Sequence, residues 1–148
     1  MIIAVDFDGT IVKHRYPRIG EELPFAIDTL KQLIEDRHLL ILWSVREGAL
    51  LDEAVEWCRE KGVEFYAVNR DFPEENGSEK HYSRKIKADL FIDDRGIGGI
   101  PEWTEIYKMI KSGKHLQPCS APTDRKTSRY KKSRFVKNIL RSALPFSE

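Results

Sequence analysis

Four acidic residues follow two apolar runs of the chain, and their types and spacing suit metal-assisted chemistry. Asp6 and Asp8 follow the run at the start of the chain, and Asp93 and Asp94 follow a run near residue 90. Carboxylates about 4 Å apart repel by roughly 4 kcal/mol at an effective dielectric of about 20, so such a cluster either takes up protons or holds a cation. Oxygen ligands without His or Cys favour Mg²⁺, which completes its coordination with waters and phosphate oxygens. The cluster therefore predicts a phosphorylated substrate.

Each of these motifs also has a plain structural interpretation. Asp8-Gly9 is a common turn pair, and the stretch 93–96 suits a solvated loop with a salt bridge. Neither motif alone decides between a turn and a functional site. Their occurrence together, each behind a run typical of a buried strand, favours the functional interpretation.

Apolar runs and helical periods alternate along the body of the chain and predict the elements that position these acids. The predicted strands are 1–5, 39–43, 63–68 and 90–92, and the predicted helices cover 24–34, 51–58 and 101–110, with Pro24 and Pro101 at first helical positions and Gly62 and Gly113 as stops. Strands alternating with helices indicate an α/β fold, a three-layer α/β/α Rossmann-like domain with a central parallel sheet. Ligands of such sheets bind beyond the carboxyl ends of the strands, where the acids fall.

The residues at these strand ends resemble the motifs of the haloacid dehalogenase (HAD) superfamily, most of whose members are Mg²⁺-dependent phosphohydrolases. The stretch DFDGT at 6–10 is similar to the first motif, Ser44 to the second, and Asp93-Asp94 to the fourth. The resemblance covers roughly residues 1–112. It implies the α/β fold that the periodicity predicts.

The resemblance also implies a mechanism and a role for each matched residue. Asp6 would attack phosphorus to form an aspartyl-phosphate, and Asp8 would protonate the leaving oxygen and later deprotonate a water. Mg²⁺ would be held by Asp6, the backbone carbonyl of Asp8, and Asp94, with Asp93 in support. The Ser44 hydroxyl would hold the transferring phosphoryl oxygens.

Two further cations are candidates for binding the phosphorylated substrate. The third HAD motif is a lysine, and Lys85 is the preferred match, with Lys80 and Lys87 as alternatives. A surface lysine is the competing interpretation for all three. Arg46 either binds a second anionic group of the substrate or pairs with Glu47 or with a helix terminus.

The intervals between the motifs predict a member without a cap domain. Only 35 residues separate Asp8 from Ser44, and about twenty separate Val68 from Leu90, which leaves no room for a cap. An open site suits a bulky phosphate or closure by a neighbouring subunit. The segment after the first motif corresponds to the superfamily's flap, which makes His14, Arg15 and Arg18 candidates for contacting the substrate.

Composition and charge set the class of protein. Of 148 residues, 41% are hydrophobic and 33% charged, without an apolar run of about twenty residues, so we expect a protein with no transmembrane segment. The chain start has no signal-peptide pattern, and two cysteines make no disulfide framework, so we expect a cytoplasmic location.

The last quarter of the sequence differs in charge from the rest. Residues 113–148 hold nine of the 25 basic residues and two of the 24 acidic residues, so residues 1–112 are net acidic. We expect a catalytic domain over 1–113, a linker over 114–128 and a basic amphipathic helix over 129–148. That helix either contacts nucleic acid, lies on an anionic membrane surface, or docks its apolar stripe on the acidic body within or between chains, as in a homo-oligomer.

Two functions from other classes compete with a phosphatase. One is a phosphoacceptor module like a response-regulator receiver, which also gathers Asp, Ser or Thr, Lys and Mg²⁺. The order of elements disfavours it, because a receiver is phosphorylated after its third strand, and here that strand ends in Asn69. The other is a binding protein that lost turnover, which the presence of both Asp6 and Asp8 disfavours. The substrate stays open among nucleotide, sugar phosphate and polynucleotide end.

Overall fold

The structure, a computed structural model, describes residues 1–75 and 85–113 of the chain. Within those ranges the elements are β1 (Ile2–Val5), α1 (Ala26–Glu35), β2 (Leu39–Leu42), α2 (Gly48–Glu60), β3 (Ala67–Val68), β4 (Leu90–Ile92) and α3 (Trp103–Ser112). All of these elements belong to one compact unit, Met1–His115. The predicted linker and C-terminal helix lie outside the described residues.

The four strands form one parallel sheet in the order β3-β2-β1-β4. Strand β1 is central, and its last residue, Val5, pairs with the last residues of both neighbours, Leu42 of β2 and Ile92 of β4. The near-continuous apolar character of these runs is typical of strands buried between flanking helices. The predicted α/β class with a parallel sheet is confirmed. The aligned register brings the carboxyl ends of three strands to one level.

The helices flank the sheet and turn their apolar positions toward the core. Their apolar residues recur every three or four positions, which gives each helix one buried stripe. The buried hydrophobic residues are Ala26, Ile27, Leu30 and Leu33 of α1, Ala54 and Cys58 of α2, and Trp103, Ile106 and Ile110 of α3. Gly62 and Gly113 adopt left-handed backbone just beyond α2 and α3, as the sequence predicts. No helix in the described ranges is long and apolar enough to cross a membrane.

The strand predicted over 63–68 is shorter in the structure, where β3 holds only its last two residues. The N–H of Val63 donates to the carbonyl of Cys58 near the end of α2, so Val63 is still bonded to the helix end and not to the sheet. It first reaches β2 at Tyr66, whose N–H donates to the carbonyl of Leu40. Apolar residues at 63–66 therefore pack as a connection, which periodicity alone does not distinguish from a strand.

Helix α1 begins two residues later than the position of Pro24 predicts. The N–H of Ala26 donates to the carbonyl of Leu23, which closes a four-residue turn with Pro24 at its second position. Phe25, at the third position, has φ 63° and ψ 8°, which is the left-handed conformation that a type II turn requires there. Proline favours the second position of that turn as much as the first turn of a helix.

Candidate active site

The carboxyl ends of β1, β2 and β4 lie side by side and bring the predicted site residues together. The N–H of Asp6 donates to the carbonyl of Ile92 at 3.0 Å, and the N–H of Trp43 donates to the carbonyl of Val5 at 2.8 Å. Backbone pairing thus continues one residue beyond β1 and β2. Asp6, Trp43 and Asp93 consequently start the loops at the same edge of the sheet, where ligands of parallel sheets bind.

Three of the predicted metal ligands form a cluster at this edge. Asp6, Asp93 and Asp94 each offer one carboxylate oxygen, and these three oxygens lie within 4.8 Å of one another. All three side chains are half-buried. Oxygen atoms at this spacing match the donor set that Mg²⁺ takes in proteins.

The cluster opposes the ionisation of Asp6. The pKa of Asp6 is raised from 3.8 to about 6, chiefly by burial and also by the charges of Asp93 and Asp94, against hydrogen bonds from Phe7 and Thr10 that lower it. A cation among these carboxylates would reverse the repulsion and favour the charged form. The site is therefore better suited to three carboxylates with a bound cation than without one.

Thr10 links the two halves of the acidic cluster. Its hydroxyl donates to Asp6 Oδ2 at 3.2 Å and accepts from the N–H of Asp94 at 3.1 Å. Its carbonyl accepts from Trp103 Nε1 at 2.9 Å, which ties the start of α3 to the same point. Thr10 is fully buried. This side chain sets the spacing between the acids that follow β1 and β4.

Asp94 has one oxygen engaged and one without a partner. Its Oδ2 lies 3.0 Å from His14 Nε2, whereas its Oδ1 is buried and has no hydrogen-bond partner. A buried carboxylate oxygen without a partner is costly unless a ligand satisfies it. Gly9 permits this arrangement, because its φ is 93° and a Cβ there would lie 2.5 Å from Asp94 Oδ2. A cation bound between these acids would satisfy this oxygen.

Asp8 points to Arg46 and forms a buried ion pair. Arg46 Nε donates to Asp8 Oδ2 at 2.6 Å, and Nη2 donates to Asp8 Oδ1 at 2.8 Å. The exposed fractions of the two side chains are 0% for Arg46 and 7% for Asp8. The hydrogen bonds that Arg46 donates to the Asp8 carboxylate raise the pKa of Arg46. Arg46 was expected to bind substrate or to pair with Glu47 or a helix terminus, but the structure pairs it with Asp8 and keeps it out of the cleft lining.

Ser44 is fixed by Asn69, which follows β3. The Ser44 N–H donates to Asn69 Oδ1 at 2.8 Å, and Asn69 Nδ2 donates to the Ser44 carbonyl at 2.9 Å. The Ser44 hydroxyl accepts from the Arg46 N–H at 3.3 Å. Asn69 has φ 53°, in the left-handed region that asparagine tolerates better than most residues. This two-point contact holds the loop after β2 in register with the loop after β3.

A cleft of about 460 Å³ opens over these residues. Four predicted site residues line it, namely Asp6, Asp8, Ser44 and Asp93, together with Trp43, Val45, Glu47 and Arg95. Among its lining residues in the described ranges, Arg95 is the cation, and its side chain is exposed. An anion entering the cleft would therefore meet a positive group at its rim.

The lysine candidates lie apart from the cleft lining or outside the described residues. Lys85 Nζ lies 5.8 Å from the centre of the Phe91 ring, and Lys87 Nζ lies 3.8 Å from Asp71 Oδ2. Neither lysine lines the cleft. Lys80 falls among the residues that the structure does not describe. A phosphate-binding role for Lys85 stays a prediction.

Comparison with solved structures identifies a near relative. A conserved protein coded by a locus of Bacteroides thetaiotaomicron has 69% sequence identity to this chain and a TM-score of 0.73. The match covers 76% of this chain and 91% of the Bacteroides protein. The chain belongs to the family of this conserved bacterial protein. Comparison with protein-family models gives no match, and comparison with curated proteins gives no significant match.

Three residues of the site were missed by sequence reasoning. Thr10, Asn69 and Trp103 position other site residues through hydrogen bonds rather than by carrying charge into the cleft. Thr10 lies inside the first motif and Asn69 directly after a predicted strand, so their places at strand ends were the available signal. Their partners are distant in sequence, and no local pattern identifies them.

Proposed function

We propose that the protein is a Mg²⁺-dependent phosphohydrolase of the HAD type that cleaves a phosphomonoester through an aspartyl-phosphate on Asp6. The observation that carries this proposal is the convergence of Asp6, Asp93 and Asp94 at aligned strand ends, with a buried oxygen of Asp94 left without a partner. Carboxylates alone at this spacing repel one another, and a divalent cation removes that repulsion. The DFDGT sequence at 6–10 supports the same conclusion.

Mg²⁺ would be held by the carboxylates of Asp6, Asp93 and Asp94 and by the backbone carbonyl of Asp8. When bound, it would neutralise the phosphoryl group and orient it toward Asp6. The orphaned oxygen of Asp94 and the absence of nitrogen or sulfur ligands within the three-residue cluster both fit this ion.

Asp6 and Asp8 both take part in each of the two chemical steps. An Asp6 oxygen forms a bond to phosphorus while the bond from phosphorus to the ester oxygen breaks, and Asp8 gives its proton to that leaving oxygen. Water then attacks phosphorus and gives a proton to Asp8, and the Asp6–phosphorus bond breaks to release phosphate. Asp8 thereby regains the proton that the next turnover uses.

The cleft lining supplies groups for the phosphoryl oxygens. The Ser44 hydroxyl donates to one of them, and its position is held from behind by Asn69. Arg95 neutralises charge at the rim of the cleft, a task that the superfamily's third motif assigns to lysine. Lys80 and Lys85 are the alternatives for that task.

We further propose a three-layer α/β/α arrangement without a cap domain. The intervals between the motifs are short, and residues 9–25 form a connection with no helix or strand of its own. A site without a cap accepts a bulky phosphomonoester, so nucleotides, sugar phosphates and phosphorylated polynucleotide ends are the classes to test.

The test is phosphate release from a panel of those three classes, with Mg²⁺ and with EDTA. We expect Mg²⁺-dependent turnover that Asp6→Asn lowers by at least about 10³-fold, because the variant lacks the nucleophile. Asp52→Asn, the same chemical change at an exposed position of α2, is the matched control and should keep full activity. A folded protein that binds Mg²⁺ and hydrolyses nothing in the panel would instead support the phosphoacceptor or binding role.

A further inference from the structure

The guanidinium of Arg46 is the most completely enclosed charged group among the described residues. Besides the two bonds to Asp8, its Nη1 donates to the Pro17 carbonyl at 2.9 Å and its Nη2 donates to the Arg18 carbonyl at 3.1 Å. It also lies 5.1 Å from the centre of the Phe7 ring. A buried charge is tolerated only when its hydrogen bonds are satisfied, and here four of them converge on one side chain.

Two of these contacts reach the flap, which we define as residues 13–20. The two ends of the flap are held together beyond β1. Lys13 Nζ lies 2.6 Å from Glu21 Oε2, and the Lys13 N–H donates to the Glu21 carbonyl. Its middle is held by Arg46 through the two backbone carbonyls, and the Tyr16 ring lies 5.4 Å from the guanidinium. Residues 13–18 are otherwise exposed. Arg46 is therefore the point at which the flap is fastened to the site.

We propose that Arg46 is a positioning residue that sets the Asp8 carboxylate for proton transfer and fastens the flap beside it. This inference rests on the proposed function of Asp8. The planar fork of Arg46 fixes both the direction and the plane of the carboxylate, which a lysine cannot do. Each carboxylate oxygen has a second lone pair, so Asp8, which lines the cleft, keeps one free for the leaving oxygen.

The role of Arg46 should depend on how much the leaving group needs a proton. An alkyl phosphate releases an alkoxide that must be protonated by Asp8 as its bond to phosphorus breaks. p-Nitrophenyl phosphate releases a phenolate that is stable without a proton. In the first step, formation of the aspartyl-phosphate, a residue that acts through Asp8 therefore matters for the first ester and little for the second.

The first experiment compares Arg46→Lys with wild type on both esters in the presence of Mg²⁺. We expect kcat/KM on the alkyl phosphate to fall about 100-fold and kcat/KM on p-nitrophenyl phosphate to fall less than about fivefold, because kcat/KM reports phosphoryl transfer to Asp6 and not the later hydrolysis, in which Asp8 serves both esters alike. The ratio of the two rates does not depend on how much of the variant is folded. Arg46→Gln, which removes the charge, provides a second variant with the same expected order.

The second experiment measures the flap directly by limited trypsin digestion of the full chain. Cleavage after Arg15 and Arg18 should be about tenfold faster in Arg46→Lys, because the flap opens more often once its fastening is lost. Arg59→Lys is the matched control, since Arg59 makes the same two-bond contact with Glu56 on the exposed face of α2. That variant should leave both rates and both cleavage sites unchanged.

The outcomes separate this proposal from the proposed function. A selective loss on the alkyl ester with faster flap cleavage supports it, whereas an equal loss on both esters overturns it and makes Arg46 a structural residue only. If the wild type hydrolyses neither ester, the phosphohydrolase proposal fails for these substrates. In that case the digestion tests only whether Arg46 holds the flap in place, and unchanged cleavage would overturn that part of the proposal.

Discussion

At the scale of single residues, Asp6 shows how the site opposes the charge that its proposed chemistry needs. A nucleophilic carboxylate must be ionised, yet burial and two neighbouring acids raise the pKa of Asp6 to about 6. A cation bound by the same acids would favour the charged form, so in the proposed mechanism metal binding and activation of Asp6 would be one event. The consequence is a dependence on pH that differs between metal-free and metal-bound protein.

Metal-free protein should lose stability as Asp6 ionises. The pKa of Asp6 is about 6 in the folded state against an ordinary value of 3.8, so between those values the folded state binds more protons than the unfolded state. The free energy of unfolding attributable to Asp6 therefore falls as pH rises through that window. In EDTA we expect Asp6→Asn to melt at a higher temperature than wild type at pH 7, with the difference shrinking toward pH 4. A difference in Tm that is constant with pH would contradict this assignment.

The acids of the site were predictable, and their partners were not. Asp6, Asp8 and Asp93 end buried runs, and a parallel sheet brings such positions to one edge. The partner of Asp8 is 38 residues away in the chain, and the choice of Arg46 depends on where the flap and the loop after β2 meet in space. Sequence spacing carries no information on that meeting, so the prediction for Arg46 named other partners.

At the scale of elements, the order and class of the strands and helices followed from periodicity because burial imposes it. Continuous apolar runs predicted β1, β2 and β4, and helical spacing predicted the apolar faces of α1, α2 and α3. The errors lie at element ends. Strand β3 is short because Val63 is still hydrogen-bonded to the end of α2. Helix α1 starts late because Pro24 lies in a turn that precedes it. Ends depend on single hydrogen bonds, which a pattern of apolar residues does not determine.

Asn69 should stabilise the protein by joining two strand ends. Asn69→Gly keeps a residue that accepts the φ of 53° but removes both hydrogen bonds to the Ser44 backbone. We expect the free energy of unfolding to fall by about 1–3 kcal/mol, since each such bond contributes about 0.5–1.5 kcal/mol net. Urea unfolding measures the loss, and phosphate release should fall with it because Ser44 loses its support.

Asn69→Asp is the comparison variant, because it keeps the hydrogen bond from the Ser44 N–H and removes the one to the Ser44 carbonyl. The carboxylate still accepts from the Ser44 N–H but faces the Ser44 carbonyl without a donor, so its loss of stability should at least equal that of Asn69→Gly above pH 5. If both variants unfold like wild type and retain full activity, Asn69 has no positioning role at the end of β3.

At the scale of the whole molecule, charge is divided along the chain. Residues 1–112 hold 16 basic and 22 acidic residues, and a net acidic domain would repel the proposed anionic substrate away from the candidate metal site. If the basic residues of 113–148 bind nucleic acid, they would offset that repulsion for a polyanion such as a phosphorylated oligonucleotide, whose many phosphates can be bound at once. A small phosphomonoester has too few charges to benefit in the same way.

Binding of a single-stranded oligonucleotide by the full chain should therefore depend steeply on salt. For single strands, each neutralised phosphate adds about 0.7 to the slope of log affinity against log salt concentration. Lys131→Gln with Lys132→Gln removes two basic residues of the tail and should weaken binding at low salt and lower the slope by about 1.4 units. Lys31→Gln with Lys108→Gln removes the same charge from the body and should change the slope little. Equal effects of the two double variants, measured by fluorescence anisotropy from about 50 to 300 mM salt, would mean that total charge attracts the oligonucleotide and that the tail has no contact of its own.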